Sequence, residues 1–327
     1  MITLHPHSMR TQNKLDYLHK QSIDPILING VNGYKLPNHI IKTHVSSSYT
    51  SIGPKSAIGC ALSHFKVWRT FLKTNAPYCI VFEDDVIVSK SFNTKLQKII
   101  NDVPSDFHLL YLGCFNSKFF KNVFSLFNLL NTHRENTQSE NTQSADTTTK
   151  SRNKNIVVPK VALAAHAYII SRKGATLLLS LLDGKLFNHL DICLQTLSTR
   201  GLIKTFACKP RLAFQSSTDN VIESSNAPNS HPVLFNYLLS RFFIDKKVRA
   251  NYATTCSLVR IGSINLTVSS ILIFILGYLS LPLLNLNQLT LYYALLSIPD
   301  FLNKADLNVL LFHYFLFIIP HSIQSLE

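Results

Sequence analysis

AIGCALSHFKVWRTFL (57–72) and YCIVFEDDVIV (78–88) decide how this chain of 327 residues is read. In the first stretch, Ile58, Ala61, Phe65, Trp68 and Leu72 recur at three- and four-residue spacing. That spacing predicts an amphipathic helix, with Pro54 and Ser56 as start signals and Asn75-Ala76-Pro77 as its end. In the second, Tyr78–Phe82 is an unbroken apolar run, which predicts a strand buried on both faces. Glu83, Asp84 and Asp85 follow at once, after a stretch from 25 to 82 without a single acid. Three adjacent carboxylates repel one another unless something positive neutralises them. Ligands of α/β sheets bind beyond the carboxyl ends of strands, and hard divalent cations take oxygen ligands. If the strand continued, Glu83 and Asp85 would share one face. The pattern points to Mg²⁺ or Mn²⁺ shared with a diphosphate. A solvated acidic turn is the reading that these three residues alone leave open.

Outward from this centre, strands and helices alternate. Residues 26–29 read as a strand entering a glycine-containing turn, and 108–112 as a strand ending at Gly113. Residues 161–170 read as another, after which Ser171 caps a helix closed by Asp183-Gly184. A short strand is expected at 203–207. The alternation predicts an α/β sheet, at least partly parallel, in a domain spanning 1–235. Within it, 131–155 carries a tandem ENTQS and almost no apolar residue. It is expected to be a disordered polar insertion. The Phe- and Leu-rich stretch before it, 119–130, reads as an amphipathic helix that either packs or touches a membrane surface.

Lysine and arginine number 32 against 18 acids, for a net charge of +14. Phosphates, anionic lipid or nucleic acid are the partners such a charge attracts. No basic and aromatic residues interleave as they do in a nucleic-acid module, which argues against that class. The six cysteines form no CxxC and are expected to be reduced. No phosphate-binding glycine loop, HExxH or GxSxG occurs. From 261 to 299 there is no Asp, Glu, Lys or Arg, a length that suits a membrane span, and 307–320 is a second apolar run. Arg241, Lys246, Lys247, Arg249 and Arg260 precede it, and because MITLHPHSMR (1–10) lacks an apolar h-region no secretory signal is expected there. The expected organisation is therefore a basic linker at 236–260 and a helical, membrane-associated region at 261–327. The large domain then lies at the cytoplasmic face. A buried helical core is the alternative for the C-terminus.

The joined motif Gly59-Cys60-x-x-Ser63-His64, strand and Glu83-Asp84-Asp85 resembles glycosyltransferase family 25. That family includes lipopolysaccharide and lipooligosaccharide sugar transferases and collagen galactosyltransferases. Ile2-Thr3-Leu4 with Arg10, INGVNG (28–33), HAYIISRKGA (166–175), HLDICL (189–194) and PRLAFQSS (210–217) are similar to further family segments. Thr3, Asn32 and the Lys55-Ser56 pair depart from the family pattern. The resemblance implies a GT-A type nucleotide-sugar-binding sandwich. It also implies metal-dependent, inverting transfer of a hexose, galactose or glucose, from a UDP-sugar to a saccharide or lipid-linked saccharide acceptor. By the same resemblance Glu83, Asp84 and Asp85 hold the metal, and Asp191 and His166 are catalytic, with Asp191 as base. Arg10, Asn29, Ser63, His64 and Gln215 bind the donor. Read on their own, Asp191 also fits a helix N-cap, and His64 and His166 fit core histidines. A membrane-anchored, non-catalytic binding relative is the competing function.

Overall fold

The computed structural model describes residues 1–115, 155–159, 161–215, 257–261, 264–280, 282–302 and 307–324. The expected amphipathic stretch 119–130, all of the insertion but Asn155, the expected domain end near 235 and most of the basic linker lie outside these residues. The chain forms two compact units. One is Met1–Ser46 with Gly59–Ser216, and the other is Ser47–Ile58 with Ser217–Glu327.

The first unit opens with β1 (Ile2–Thr3), α1 (Met9–Lys20), β2 (Ile28–Asn29) and α2 (Asn38–His44). After α3 (Ser47–Ile52), which belongs to the second unit, comes the helix expected from periodicity, α4 (Lys55–Leu72). Then follow β3 (Tyr78–Phe82), β4 (Val86–Val88), α5 (Phe92–Asp102), β5 (Leu109–Phe115), β6 (Ile156–Val157) and β7 (Leu163–Ser171). The unit closes with α6 (Arg172–Leu182), α7 (Leu190–Thr199), β8 (Thr205–Cys208) and β9 (Ala213–Gln215). Ser171 caps α6 as expected, accepting from the Gly174 N–H.

The central sheet has the order β3-β7-β5-β8-β6, and only β5 and β8 run parallel in it. The sheet is thus mixed. Strand and helix alternation fixes no direction once consecutive strands are not neighbours. β3 stands at the end of this order, so Tyr78, Cys79 and Ile80 are half-buried and only Val81 and Phe82 are fully buried. The expectation of two-sided burial holds for those last two residues alone. Ile2 of β1 bridges Glu83 in parallel, which brings the chain's start beside the end of β3. Phe82, Val86, Phe92, Leu96, Ile99 and Leu110 join one core cluster, with α5 contributing a 4-3 spaced face.

Two glycines are set by close approach. A Cβ at Gly59 would lie 2.5 Å from the Val31 carbonyl oxygen and the Gly33 nitrogen, so α4 touches the 31–33 loop only because the residue is glycine. A Cβ at Gly113 would lie 2.7 Å from His166 Nε2 and collide with the Ala213 backbone, at the point where β5 carries an irregular register.

In the second unit β10 (Ser257–Ile261) pairs antiparallel with β11 (Ile264–Thr267), ahead of three helices: α8 (Val268–Ser280), α9 (Leu286–Leu302) and α10 (Leu307–Gln324). The C-terminal region is helical as expected, but no described helix is long and apolar enough to cross a membrane. The expected span is therefore corrected. The start of the charge-free run is spent on strands, and α8 has 13 residues. That is about 20 Å of helix, against a hydrocarbon thickness of about 30 Å. Ile273, Leu289, Tyr293 and Phe317 form a small core between these helices.

Candidate active site

Glu83, Asp84 and Asp85 do not continue β3. The Val86 N–H donates to the Glu83 carbonyl at 3.2 Å, so the three acids form the tight turn into β4. The Glu83 N–H donates to the His166 carbonyl at 2.9 Å, which ties the turn to β7. β4 pairs with β9, aligning Val86 with Gln215. From there Gln215 Nε2 donates to Asp85 Oδ2 at 3.1 Å. The other oxygen, Asp85 Oδ1, is buried without a hydrogen-bond partner.

Burial and mutual repulsion push the Glu83 and Asp85 carboxyls well above the usual carboxylate range, with Asp84 adding to both. The charges of Lys14 and Arg10 oppose this at Asp85. Arg10 itself lies exposed in the first turn of α1, whereas Lys14 donates to the Val86 carbonyl at 2.7 Å. Asp85 Oδ1, a buried, unpartnered carboxylate oxygen in an acidic turn, is the donor type a hard divalent cation takes.

His64 comes from α4 and is 1 % exposed. Its Nδ1 lies 2.8 Å from Tyr168 Oη and its Nε2 lies 3.3 Å from Glu83 Oε1. Burial lowers its pKa to about 4, so the ring is neutral near pH 7. From the adjacent position on α4, Ser63 Oγ accepts from the Val31 N–H at 2.8 Å and donates to the Gly59 carbonyl at 2.7 Å. Its hydroxyl thus fastens the 31–33 loop to α4. Asn29 is exposed at the end of β2, and its carbonyl accepts from Lys66 Nζ at 2.9 Å.

Asp191 lies in the first turn of α7, whose N-cap is His189. It is therefore not the cap. Instead Oδ2 accepts from the Ala164 N–H at 2.8 Å and Oδ1 from the Ala165 N–H at 3.0 Å. Ala164 has φ +73°, a strained left-handed conformation that this pair of bonds holds. Burial, with the nearby Glu83 charge, raises the Asp191 pKa to about 6. His166 is 1 % exposed and packs beside Gly113 and Ala213; burial, then the Arg211 charge, lowers its pKa to about 4.

The structure thus brings together the acidic turn, His64, Asp191 and Gln215, with Arg10 within electrostatic reach. It holds Ser63 on α4, where it anchors the 31–33 loop, and His166 in the core beneath. Sequence reasoning passed over Tyr168 and Trp68, whose indole donates to Tyr168 Oη at 2.8 Å. Trp68 sits on the buried stripe of α4, which hides its N–H among core positions, and Tyr168 lies in the apolar strand β7, where its hydroxyl reads as one more buried position. Cys60 Sγ, a His64 ring nitrogen and a Glu83 oxygen also lie within 4.8 Å of one another. The five described cysteines are all free thiols, as expected.

The site is thus an acidic turn at a strand's carboxyl end, backed by a histidine on α4. The family described as "Glycosyltransferase family 25 (LPS biosynthesis protein)" matches residues 1–192, and the chain belongs to it. Mouse procollagen galactosyltransferase 2 is 30% identical over 124 residues, which is 35% of this chain and 20% of that protein. Its human counterpart is 28% identical over the same length. The mouse inactive glycosyltransferase 25 family member 3 is 28% identical over 127 residues, again 35% of this chain and 21% of the relative. The matched stretch spans about a fifth of these curated relatives.

Proposed function

We propose that this chain is a glycosyltransferase that moves a hexose, galactose or glucose, from a UDP-sugar to a saccharide acceptor, with inversion. A lipid-linked acceptor of lipopolysaccharide or lipooligosaccharide synthesis is the substrate class this reading takes. The observation that carries it is the Glu83-Asp84-Asp85 turn with its buried, unpartnered Asp85 Oδ1. These acids would hold Mn²⁺ or Mg²⁺, which as a Lewis acid offsets negative charge on a departing diphosphate. Gln215 orients Asp85 from the opposite side. Arg10 adds positive charge on the surface beside the turn.

In this reading Asp191 takes the proton from the acceptor hydroxyl. Its raised pKa, about 6, keeps it ionised at neutral pH yet basic enough to accept a proton. Its two backbone bonds fix the carboxylate plane and still leave a lone pair on each oxygen. His166 supports the same strand from the core.

The protein is further proposed to rest on the cytoplasmic face of a membrane through its C-terminal unit, lying on the bilayer rather than crossing it. Tyr278, Leu279, Leu283, Leu291, Leu295 and Phe315 are each more than half exposed there, in a stretch of few charges. The basic residues from 241 to 260 would add attraction to anionic headgroups of about 1 kcal/mol each.

A second reading, a non-catalytic binder, is favoured by the inactive family member among the relatives. Incubation with UDP-hexoses and Mn²⁺ separates the two. Release of UDP, faster with an acceptor saccharide, is expected of the enzyme. Binding of UDP-hexose with no release at all overturns the enzymatic reading.

A further inference from the structure

Behind Glu83 runs a line of buried polar groups that reaches no solvent. Trp68 Nε1 lies 2.8 Å from Tyr168 Oη, Tyr168 Oη lies 2.8 Å from His64 Nδ1, and His64 Nε2 lies 3.3 Å from Glu83 Oε1. Trp68 and Tyr168 are completely buried. The direction of each bond follows from donor chemistry. An indole N–H only donates, so Tyr168 Oη accepts from Trp68. The phenol has one hydrogen of its own, and its remaining partner is His64 Nδ1. If Nδ1 carried a proton, the Tyr168 hydrogen would be buried without an acceptor. Nδ1 therefore accepts, the proton of the neutral ring sits on Nε2, and Nε2 donates to the Glu83 carboxylate.

We propose that Trp68, Tyr168 and His64 form a one-way hydrogen-bond relay. It locks Glu83 Oε1 as an acceptor and leaves Oε2 as the oxygen that Glu83 offers to the cation. These three are positioning residues, acting through Glu83 in the way that outer-shell partners orient a metal's ligands. The inference deepens the proposed function and rests on its reading of the acidic turn. The relay also decides against Cys60, His64 and Glu83 as a metal site of their own. Nε2, the ring atom 3.3 Å from Glu83 Oε1, carries the proton and has no lone pair to give a metal.

The relay is read directly from the ¹⁵N-labelled full chain, without metal or nucleotide. A long-range ¹H–¹⁵N correlation is expected to show His64 protonated at Nε2, with Nδ1 as a hydrogen-bonded acceptor. Protonation at Nδ1 overturns the relay whatever the protein catalyses. Mn²⁺ titration in the presence of UDP then tests the positioning role. Tyr168→Phe, which removes one hydroxyl and keeps the ring, and His64→Leu are each expected to weaken Mn²⁺ about tenfold. His64→Gln, whose amide N–H stands in for Nε2–H, is expected to recover most of that loss. The KM for UDP-hexose at saturating Mn²⁺ is expected to move less than about twofold in Tyr168→Phe. Unchanged Mn²⁺ affinity in both Tyr168→Phe and His64→Leu overturns the positioning role. If wild-type protein shows the Nε2 tautomer but binds no Mn²⁺, the metal reading fails and takes the positioning role with it, while the tautomer assignment stands.

Discussion

The two units of this molecule place polar and apolar groups in opposite ways. The first half-buries Glu83, Asp85 and Asp191, buries His64, and surrounds them with hydrogen bonds and strands. The second leaves Tyr278, Leu279, Leu283 and Leu291 largely in solvent, around a core that among the described residues has only a few side chains. Buried carboxylates cost stability and are kept where they perform chemistry. Exposed apolar side chains on neighbouring helices signal a surface that something else covers. Under the proposed function, that difference corresponds to chemistry in the first unit and membrane contact in the second.

The largest effect should come from the acidic turn. Asp85→Asn removes the buried, unpartnered oxygen and relieves repulsion with Glu83 and Asp84. UDP release is expected to fall by about two to three orders of magnitude. The melting temperature is expected to hold or rise. A parallel fall in both would make the turn a structural element and erase the contrast between the units.

The next effect is a pH-dependent thermal shift. Burial raises Glu83, Asp85 and Asp191 above the ordinary carboxylate range, so the folded chain binds protons more tightly than the unfolded one. Stability therefore falls as pH rises out of that range, through about 6 for Asp191, and levels off above the raised values. A cation that favours the charged forms should restore it. Mn²⁺ with UDP at about 100 times their dissociation constant should add about 2.7 kcal/mol. That gain is expected near pH 8 and should shrink toward pH 5, where protons hold the acids. Equal shifts by thermal denaturation at both pH values would contradict it.

These two effects rest on residues that were legible to different degrees. The spacing of Ile58, Ala61, Phe65 and Trp68 announced α4, and Ser171 announced the start of α6, because both signals are local. The acidic turn was visible as composition, but its geometry was not. Whether a chain turns at Glu83 depends on the β4–β9 pairing, which is made with residues far along the sequence. Asp191 looked like a cap from its neighbours, yet its carboxylate reaches back to a strained alanine in β7. The relay through Tyr168 was hidden for the same reason, since Trp68 and Tyr168 are joined only by the packing of α4 on the sheet. In the C-terminal unit, composition alone suggested a span. Strand pairing from Ser257 to Thr267 and the short helix that follows gave another outcome.

A smaller effect is expected at Asp191. Asp191→Asn replaces an acceptor oxygen with an N–H donor facing a backbone N–H, which should destabilise the first unit by about 1–3 kcal/mol. Turnover should fall while Mn²⁺-dependent UDP binding persists. Loss of binding together with turnover would remove Asp191 from the base role.

The smallest effect on folding should come from the apolar surface. The combined substitutions Leu279→Ser, Leu283→Ser and Leu291→Ser should each change stability by no more than about 0.5 kcal/mol. They should release the protein from anionic vesicles in a flotation assay, with UDP-hexose hydrolysis unaltered. Undiminished flotation would show that these residues do not face lipid.

The central claim is that the Glu83-Asp84-Asp85 turn is the cation site of a sugar-nucleotide enzyme. Mn²⁺ binding, followed by water-proton relaxation with UDP present, tests it most directly in wild type and Asp85→Asn. Saturable binding in the wild type, weakened at least about tenfold in the variant, is the predicted result. Equal Mn²⁺ binding by both proteins would contradict the account.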